Sequence, residues 1–352
     1  MRTVLHVLPH SGGGAETYID LLEGLEGYRH RRVPLSVTRS RLAGVPSVAA
    51  RRRRIRRLAQ GADLVHVHGD MAAMLIAPAM DGRPLLITTH GLHRLRRSMG
   101  ASAWLVHRRL RAAVEASART ICIAGDERDD LAAVLPPRLR RRLVVVPNGV
   151  PLPAPTDPER RARARRSLGL GESEVAVLFA GQLEERKDPL GGISAVEAAR
   201  ARGADVVLLI AGEGPLEREV FAREGAAVRP LGHRDDMEEL YAAADLFLLP
   251  SHREGMSFAL LEAMAHGLAP IVADGTGNTE TVEGAGAVFP AGDLLSMSDL
   301  LTGLAADAAA RARLGGAARE RVRAKLSVEK FLARTRDQYE AVLAEGAPHQ
   351  GA

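Results

Sequence analysis

Residues 175–211 read VAVLFAGQLEERKDPLGGISAVEAARARGADVVLLIA. Two apolar runs, Val175–Ala180 and Val206–Ala211, flank a loop and a stretch with helical spacing. Neither run alternates apolar with polar residues, so each reads as a strand buried on both faces. Strand, helix and strand in that order make a parallel βαβ unit. The alternation continues outward in both directions. Downstream, Ala227–Pro230, Leu246–Pro250, Ile271–Ala273 and Ala287–Phe289 read as strands with helices between them, and Asp293–Leu343 is nearly all helical by propensity. Upstream, a proline-rich and charged segment at 151–166 follows the turn signal Pro147-Asn148-Gly149. Before it, Thr3–Leu8, Leu64–His68, Leu85–Thr89, Thr120–Ala124 and Leu143–Val146 read as strands. Helical patterns lie between them at 15–25, 45–60, 70–79, 102–117 and 126–135. The expectation is an α/β protein of two Rossmann-like domains, each a parallel sheet covered on both faces, with the boundary near residue 160. Ligands of such sheets bind beyond the carboxyl ends of the strands, so the loops after strands carry the search.

Composition fits this reading. The chain has 352 residues, 46% hydrophobic and 26% charged, which excludes a disordered, collagen-like or coiled-coil chain. No apolar run approaches the roughly 18 residues that span a bilayer, and Pro9 cuts short the apolar stretch after Met1, so no signal peptide is expected. Cys122 is the sole cysteine, which excludes an internal disulfide and a cysteine metal cage. A cytoplasmic protein is expected. Residues 1–150 hold 25 Arg, no Lys and 12 acidic residues, hence +13; the remaining 23 basic and 31 acidic residues give −8. Basic clusters at Arg51–Arg57, Arg94–Arg97, His107–Arg111 and Arg138–Arg142 read as solvated helix faces, or as a weak peripheral contact with anionic membrane. With aromatics at 3%, no stacking platform for nucleic acid is expected.

Several motifs fail. Gly212-Glu213-Gly214 and Gly275-Thr276-Gly277 begin a dinucleotide fingerprint, but Glu217 and Glu280 stand where its third glycine belongs. None of the three lysines, Lys187, Lys325 and Lys330, sits in a Walker A context. No Asp-x-Asp pair is present to clamp a cation on a diphosphate. His66 and His68 share a strand face, but the sequence shows no third ligand beside them, so no metal is expected.

The densest site lies at 251–280, SHREGMSFALLEAMAHGLAPIVADGTGNTE. Ser257 reads as the N-cap of a helix over 258–266, with Gly267 at its C-terminal cap. Gly255, Met256 and Ser257 then offer an anion site at a positive helix end. Glu254 before the helix could accept from sugar hydroxyls, and Glu262 on the second turn from a ribose. Taken singly, the two read more simply as a dipole charge and a solvated helix charge. Lys187, in the loop after Val175–Ala180, could neutralise a diphosphate without metal. Ser11-Gly12-Gly13-Gly14 follows the first strand and lets a ligand approach the backbone closely. His90, after Leu85–Thr89 and before Gly91, could bond a hydroxyl or a developing charge.

In order along the chain, these elements resemble the retaining glycosyltransferases of family 4, with the two-domain GT-B fold. The resemblance rests on Gly12-Gly13-Gly14-Ala15-Glu16, Asp63–His68, Thr89-His90-Gly91, Val146–Val150, Ala211–Leu216, Ala243-Ala244-Asp245 and, most specifically, Glu254…Glu262 followed by Ala263-Met264-Ala265. It implies two domains facing each other across a cleft: an acceptor-side domain of residues 1–160, with about 328–352 crossing back to it as a helix, and a donor domain of 161–327. It implies that Glu254, Gly255, Met256 and Ser257 hold the donor sugar and diphosphate, and that Lys187 binds the diphosphate. Glu262 would bind the ribose, Gly13 and Gly14 would approach the phosphates, and His90 would contact the transferred sugar. Gln182 stands where the family usually has Arg, and Arg186 is the nearby substitute, with Lys187 then expected to point elsewhere.

The expected function is transfer of a hexosyl group, with retention, from a nucleotide sugar, UDP-linked first, to an acceptor hydroxyl. The acceptor would be a small natural product or a glycolipid or polysaccharide precursor. No cofactor, metal or nucleic acid is expected, and monomer and homodimer both fit. The alternatives are a GT-B 2-epimerase of nucleotide sugars and a degenerate sugar-nucleotide-binding protein, the latter motivated by Gln182.

Overall fold

A computed structural model describes residues 1–9, 13–35, 48–80 and 82–345. The chain divides into two compact units, Met1–Asn148 with Val328–Ala352, and Gly149–Ser327. Residues 149–160, placed above with the first domain, therefore belong to the second unit. Local chemistry explains this. Val150 N donates to Leu326 O at 3.0 Å and pairs with Ser327 as an isolated bridge. Arg160 bonds Glu239 at 3.1 Å and Arg161 bonds Asp245 at 2.6 Å, so the helix Pro158–Ser167 is tied to the second unit.

Among its described residues the first unit has six parallel strands: β1 (Arg2–Leu8), β2 (Tyr28–Pro34), β3 (Leu64–His68), β4 (Leu85–Thr88), β5 (Arg119–Cys122) and β6 (Leu143–Val145). Their order is β2-β1-β3-β4-β5-β6. All residues of β3 and β4 are buried, the polar side chains of His66, His68 and Thr88 included. β2 was not foreseen. It reads YRHRRVP, and only Tyr28 and Val33 are buried. Its arginines sit at the sheet edge, where Arg32 meets Asp20 at 2.6 Å. The helix Val328–Glu345 packs within this unit: Phe331 meets the Tyr18 ring edge-on at 4.8 Å, and Tyr339 meets Tyr28 at 5.2 Å.

The second unit has β7 (Val175–Ala180), β8 (Val206–Ala211), β9 (Val228–Gly232), β10 (Leu246–Leu249), β11 (Ala269–Ala273) and β12 (Ala287–Phe289). All pair in parallel, in the order β12-β11-β10-β7-β8-β9. Every residue of β7, β8, β10 and β11 is buried. The winding reverses between β7 and β10. The loops leaving those two strands therefore diverge and open a crevice at the carboxyl edge, the usual ligand position in an open α/β sheet.

Candidate functional site

Both loops at that switch point carry charge. The loop after β7 ends at Asp188, which caps the helix Pro189–Ala201 by accepting from Gly191 N at 3.0 Å. Just before the cap, Lys187 Nζ reaches Glu254 Oε1, in the loop after β10, at 2.5 Å. Arg186 Nη1 reaches the same oxygen at 3.2 Å, and Arg186 Nη2 bonds Glu184 at 2.6 Å. Arg186 therefore lies beside Lys187 on the same carboxylate; the expectation that Lys187 would point elsewhere is corrected. Gln182 is exposed and its carbonyl accepts from Glu184 N. The Glu254 side chain is only 8% exposed. Burial opposes its charge, but the Lys187 ammonium and the Arg186 guanidinium outweigh that and hold the carboxyl below its ordinary range.

The helix Phe258–Ala265 begins just after. Ser257 takes the extended cap conformation, and its Oγ accepts from Leu260 N at 3.4 Å. Gly255, Met256 and Ser257 thus lie at the positive end of this helix, beside Glu254. The loop after β11 backs them: a Cβ on Gly277 would fall 1.4 Å from Gly255 O. Glu262, one turn into the helix, accepts a hydrogen bond from the Tyr241 hydroxyl at 2.7 Å. Burial raises the Glu262 carboxyl, and the Tyr241 bond partly offsets this. Tyr241 stacks on His266 at 4.9 Å. Tyr241 was not anticipated; it is a lone tyrosine in a helix, and no sequence spacing pairs it with Glu262.

In the first unit, Gly13 precedes and Gly14 opens the helix Gly14–Leu22, at the carboxyl edge beside β1. Gly13 has φ +79, and Ser11 and Gly12 of the same loop lie outside the described residues. His90 follows β4 in the left-handed region, φ +52. The next N–H, of Gly91, is held by the buried Glu127 carboxylate, which also accepts from Ile123 N at 2.7 Å. His90 Nε2 lies 3.0 Å from His68 Nδ1, and His68 Nε2 lies 2.8 Å from His6 Nδ1. His6 is thus the third imidazole that the sequence did not offer beside His66 and His68; ring nitrogens of the three lie within 4.8 Å. All six of these nitrogens already have partners. His66 takes Tyr339 OH at 3.0 Å and Thr88 Oγ1 at 2.7 Å, and His6 Nε2 takes His30 Nδ1 at 2.8 Å. Glu127 and His6 had no recognisable spacing relative to His90, so sequence reading missed them.

The second unit thus places a cation–carboxylate pair and a capped helix at the switch point of its sheet. Comparison with known proteins places the chain further. Residues 4–153 match the family described as Glycosyltransferase Family 4, and residues 174–307 match Glycosyl transferases group 1. A D-inositol 3-phosphate glycosyltransferase of Xylanimonas cellulosilytica is 31% identical over 281 residues, 73% of this chain and 67% of that protein. A GDP-mannose-dependent monoacylated alpha-(1-6)-phosphatidylinositol monomannoside mannosyltransferase of Corynebacterium glutamicum is 32% identical over 199 residues, 52% of each chain. Among solved structures, Anabaena HepE in complex with UDP-glucose matches with a TM-score of 0.81 at 17% identity, over 97% of this chain and 100% of that one. Sucrose-phosphate synthase of Thermosynechococcus elongatus matches with a TM-score of 0.77 at 21% identity, over 98% and 100%. At these identities the structural matches speak for the GT-B fold. The chain belongs to the family 4, or group 1, glycosyltransferases, and is a glycosyltransferase. Nothing in these matches favours the 2-epimerase reading.

Proposed function

We propose that the protein moves a hexosyl group from a nucleoside diphosphate sugar, UDP-linked first, to an acceptor hydroxyl with retention at the anomeric carbon. The observation that carries this is the 2.5 Å contact between Lys187 Nζ and Glu254 Oε1 at the switch point of the second sheet. A bound diphosphate competes for the Lys187 ammonium, freeing Glu254 to accept from hydroxyls of the donor sugar. Lys187, Arg186 and the amide end at Gly255, Met256 and Ser257 stabilise charge growing on the leaving diphosphate. These fixed positive groups supply what a divalent cation would, so the reaction is proposed to be metal-independent. Glu262 takes the ribose hydroxyls, with Tyr241 orienting its carboxylate. Gly13 and Gly14 serve the phosphates and His90 the transferred sugar. Glu254 is proposed to be taken up by the donor-sugar hydroxyls rather than to attack the anomeric carbon, and front-face attack is proposed instead. The bond from the anomeric carbon to the phosphate oxygen breaks, a bond to the acceptor oxygen forms on the same face, and the acceptor proton passes to the departing phosphate oxygen.

The named activity of the Xylanimonas relative, on D-inositol 3-phosphate, supports a small polyhydroxylated acceptor, and that of the Corynebacterium relative supports a lipid-linked one. Among the described residues no helix is long and apolar enough to cross a membrane. A cytoplasmic place with weak contact to anionic lipid is part of the proposal. It is supported by six arginines in the helix Val48–Ala59, by exposed Met99, and by exposed Trp104, over whose ring the Arg108 guanidinium lies at 5.5 Å. Monomer and homodimer both fit.

A thermal-shift screen of UDP- and GDP-hexoses tests the donor, since a ligand at 100 times its Kd stabilises by about 2.7 kcal/mol. Proton NMR of the product, with and without chelator, tests retention and metal independence. No shift with any nucleotide sugar, or an inverted product, would overturn the reading.

A further inference from the structure

Four imidazoles of the first unit stand in a hydrogen-bonded row. His30 Nδ1 lies 2.8 Å from His6 Nε2, His6 Nδ1 lies 2.8 Å from His68 Nε2, and His68 Nδ1 lies 3.0 Å from His90 Nε2. Successive ring centroids are 5.1, 5.1 and 5.2 Å apart, each pair stacked. The row crosses the sheet from β2 through β1 and β3 to the loop after β4. Burial holds these rings neutral: the His6 and His68 imidazoles titrate well below their ordinary value, and that of His90 at about 3.

Every contact in the row joins an Nδ1 to an Nε2. A neutral imidazole carries one proton, so one nitrogen donates and the other accepts. Only two neutral arrangements then place one proton in each of the three contacts. Either all four rings carry the proton on Nδ1, or all four carry it on Nε2. Any mixture sets two N–H groups, or two bare lone pairs, face to face in a buried place, and each such fault leaves polar groups unsatisfied. The ends of the row are His30 Nε2, which is buried with no partner among the described residues, and His90 Nδ1. His66 stands outside the row, with both nitrogens engaged by the Tyr339 and Thr88 hydroxyls.

We infer that the row is a single tautomeric unit, through which His30, His6 and His68 set whether His90 Nδ1 is an N–H donor or a bare acceptor toward the transferred sugar. This rests on the proposed contact of His90 with that sugar. His30, His6 and His68 are positioning residues, and a change at His30 is felt at His90 three rings away.

The test is the two-bond proton–nitrogen correlation spectrum of the full chain, labelled with nitrogen-15 histidine, at pH 7. The expected spectrum shows His30, His6, His68 and His90 neutral and all in the same tautomer. His30→Phe is expected to turn the single His90 tautomer into a mixture. Neighbouring rings in opposite tautomers, a doubly protonated ring in the row, a metal-ligated pattern at His6 and His68, or an unchanged His90 in His30→Phe would each overturn the inference. If His30→Phe does not fold, the spectrum of the unaltered protein still decides. A transfer assay of His90→Ala separates the two readings: full activity in that variant, beside a common tautomer for all four rings in the unaltered protein, removes the sugar contact and leaves the row standing.

Discussion

Lys187 and Glu254 come from different loops and meet at 2.5 Å, each leaving the sheet at a strand where the winding reverses. The contact ties binding to stability. A carboxyl whose folded pKa is depressed adds stability above its unfolded value, about 4.3 for Glu, and loses it as pH falls through the folded value. The pairing of Glu254 with Lys187 and Arg186 places that loss below the ordinary carboxylate range. In Lys187→Met the carboxyl rises, and acid destabilisation begins at higher pH. Melting temperature measured across the acid range checks this, and profiles that superimpose would show that Lys187 does not hold the charge. At neutral pH the same variant is expected to lose about 100-fold or more in kcat, the scale of one lost charge-stabilising donor.

Tyr241 and Glu262 give the opposite sign. A carboxyl with a raised folded pKa contributes stability that is fully present below its unfolded value and is lost as pH rises through the folded one. Burial raises Glu262 in this way. Glu262→Gln removes the titration, so its urea midpoint is expected to fall less than that of the unaltered protein between pH 4 and 7. The same change weakens acceptance from a ribose hydroxyl, with an expected loss of about tenfold in nucleotide affinity, or 1.4 kcal/mol. Calorimetric titration with UDP and GDP reads that loss. Unchanged affinity for every nucleotide would take Glu262 out of the site.

Much of this arrangement was legible in the residues, for reasons that also explain what was not. β7, β8, β10 and β11 announce themselves because a strand buried on both faces has no polar positions. β2 hides because an edge strand needs only two buried side chains, Tyr28 and Val33, and its arginines read as loop. Within the candidate site, Glu254, Lys187 and Ser257 lie in loops whose positions follow from the strands. The Arg186 contact does not follow, because two successive long side chains turning onto one carboxylate is a rotamer outcome. Tyr241 with Glu262, and His6 with His68, are pairs made across elements, and no periodicity within one segment encodes them.

Glu127 is expected to govern the loop that carries His90. Its carboxylate is fully buried and accepts from the N–H groups of Gly91 and Ile123. Glu127→Gln keeps the shape but replaces one accepting oxygen with an NH2 group, which faces a backbone N–H. Hydrogen bonds to charged groups are worth about 1.5–3 kcal/mol, and a loss in that range is expected in urea denaturation. Faster amide exchange at Gly91 should accompany it, because His90 at φ +52 is held in a conformation its side chain disfavours. An unchanged midpoint and unchanged exchange would show that the loop is held by other contacts.

Gly277 and Gly13 both have positive φ, +84 and +79, yet alanine should act differently at the two. A Cβ on Gly277 would fall 1.4 Å from Gly255 O, backbone that cannot yield without moving the start of the helix at Phe258. Gly277→Ala is therefore expected to lower the melting temperature markedly and to abolish donor binding together with it. A Cβ on Gly13 meets no atom of the other described residues within 4 Å, so the cost is that of its backbone, φ +79 and ψ −175, at roughly 1–3 kcal/mol. Gly13→Ala should fold and melt within a few degrees of the unaltered protein. If the glycine serves close approach of a phosphate, the methyl group then occupies the ligand's own space, and the KM for the nucleotide sugar rises while the fold is kept. Thermal melts and steady-state kinetics on the two variants separate these outcomes. A Gly13→Ala enzyme with unaltered KM would mean that the glycine serves only the turn into the helix Gly14–Leu22.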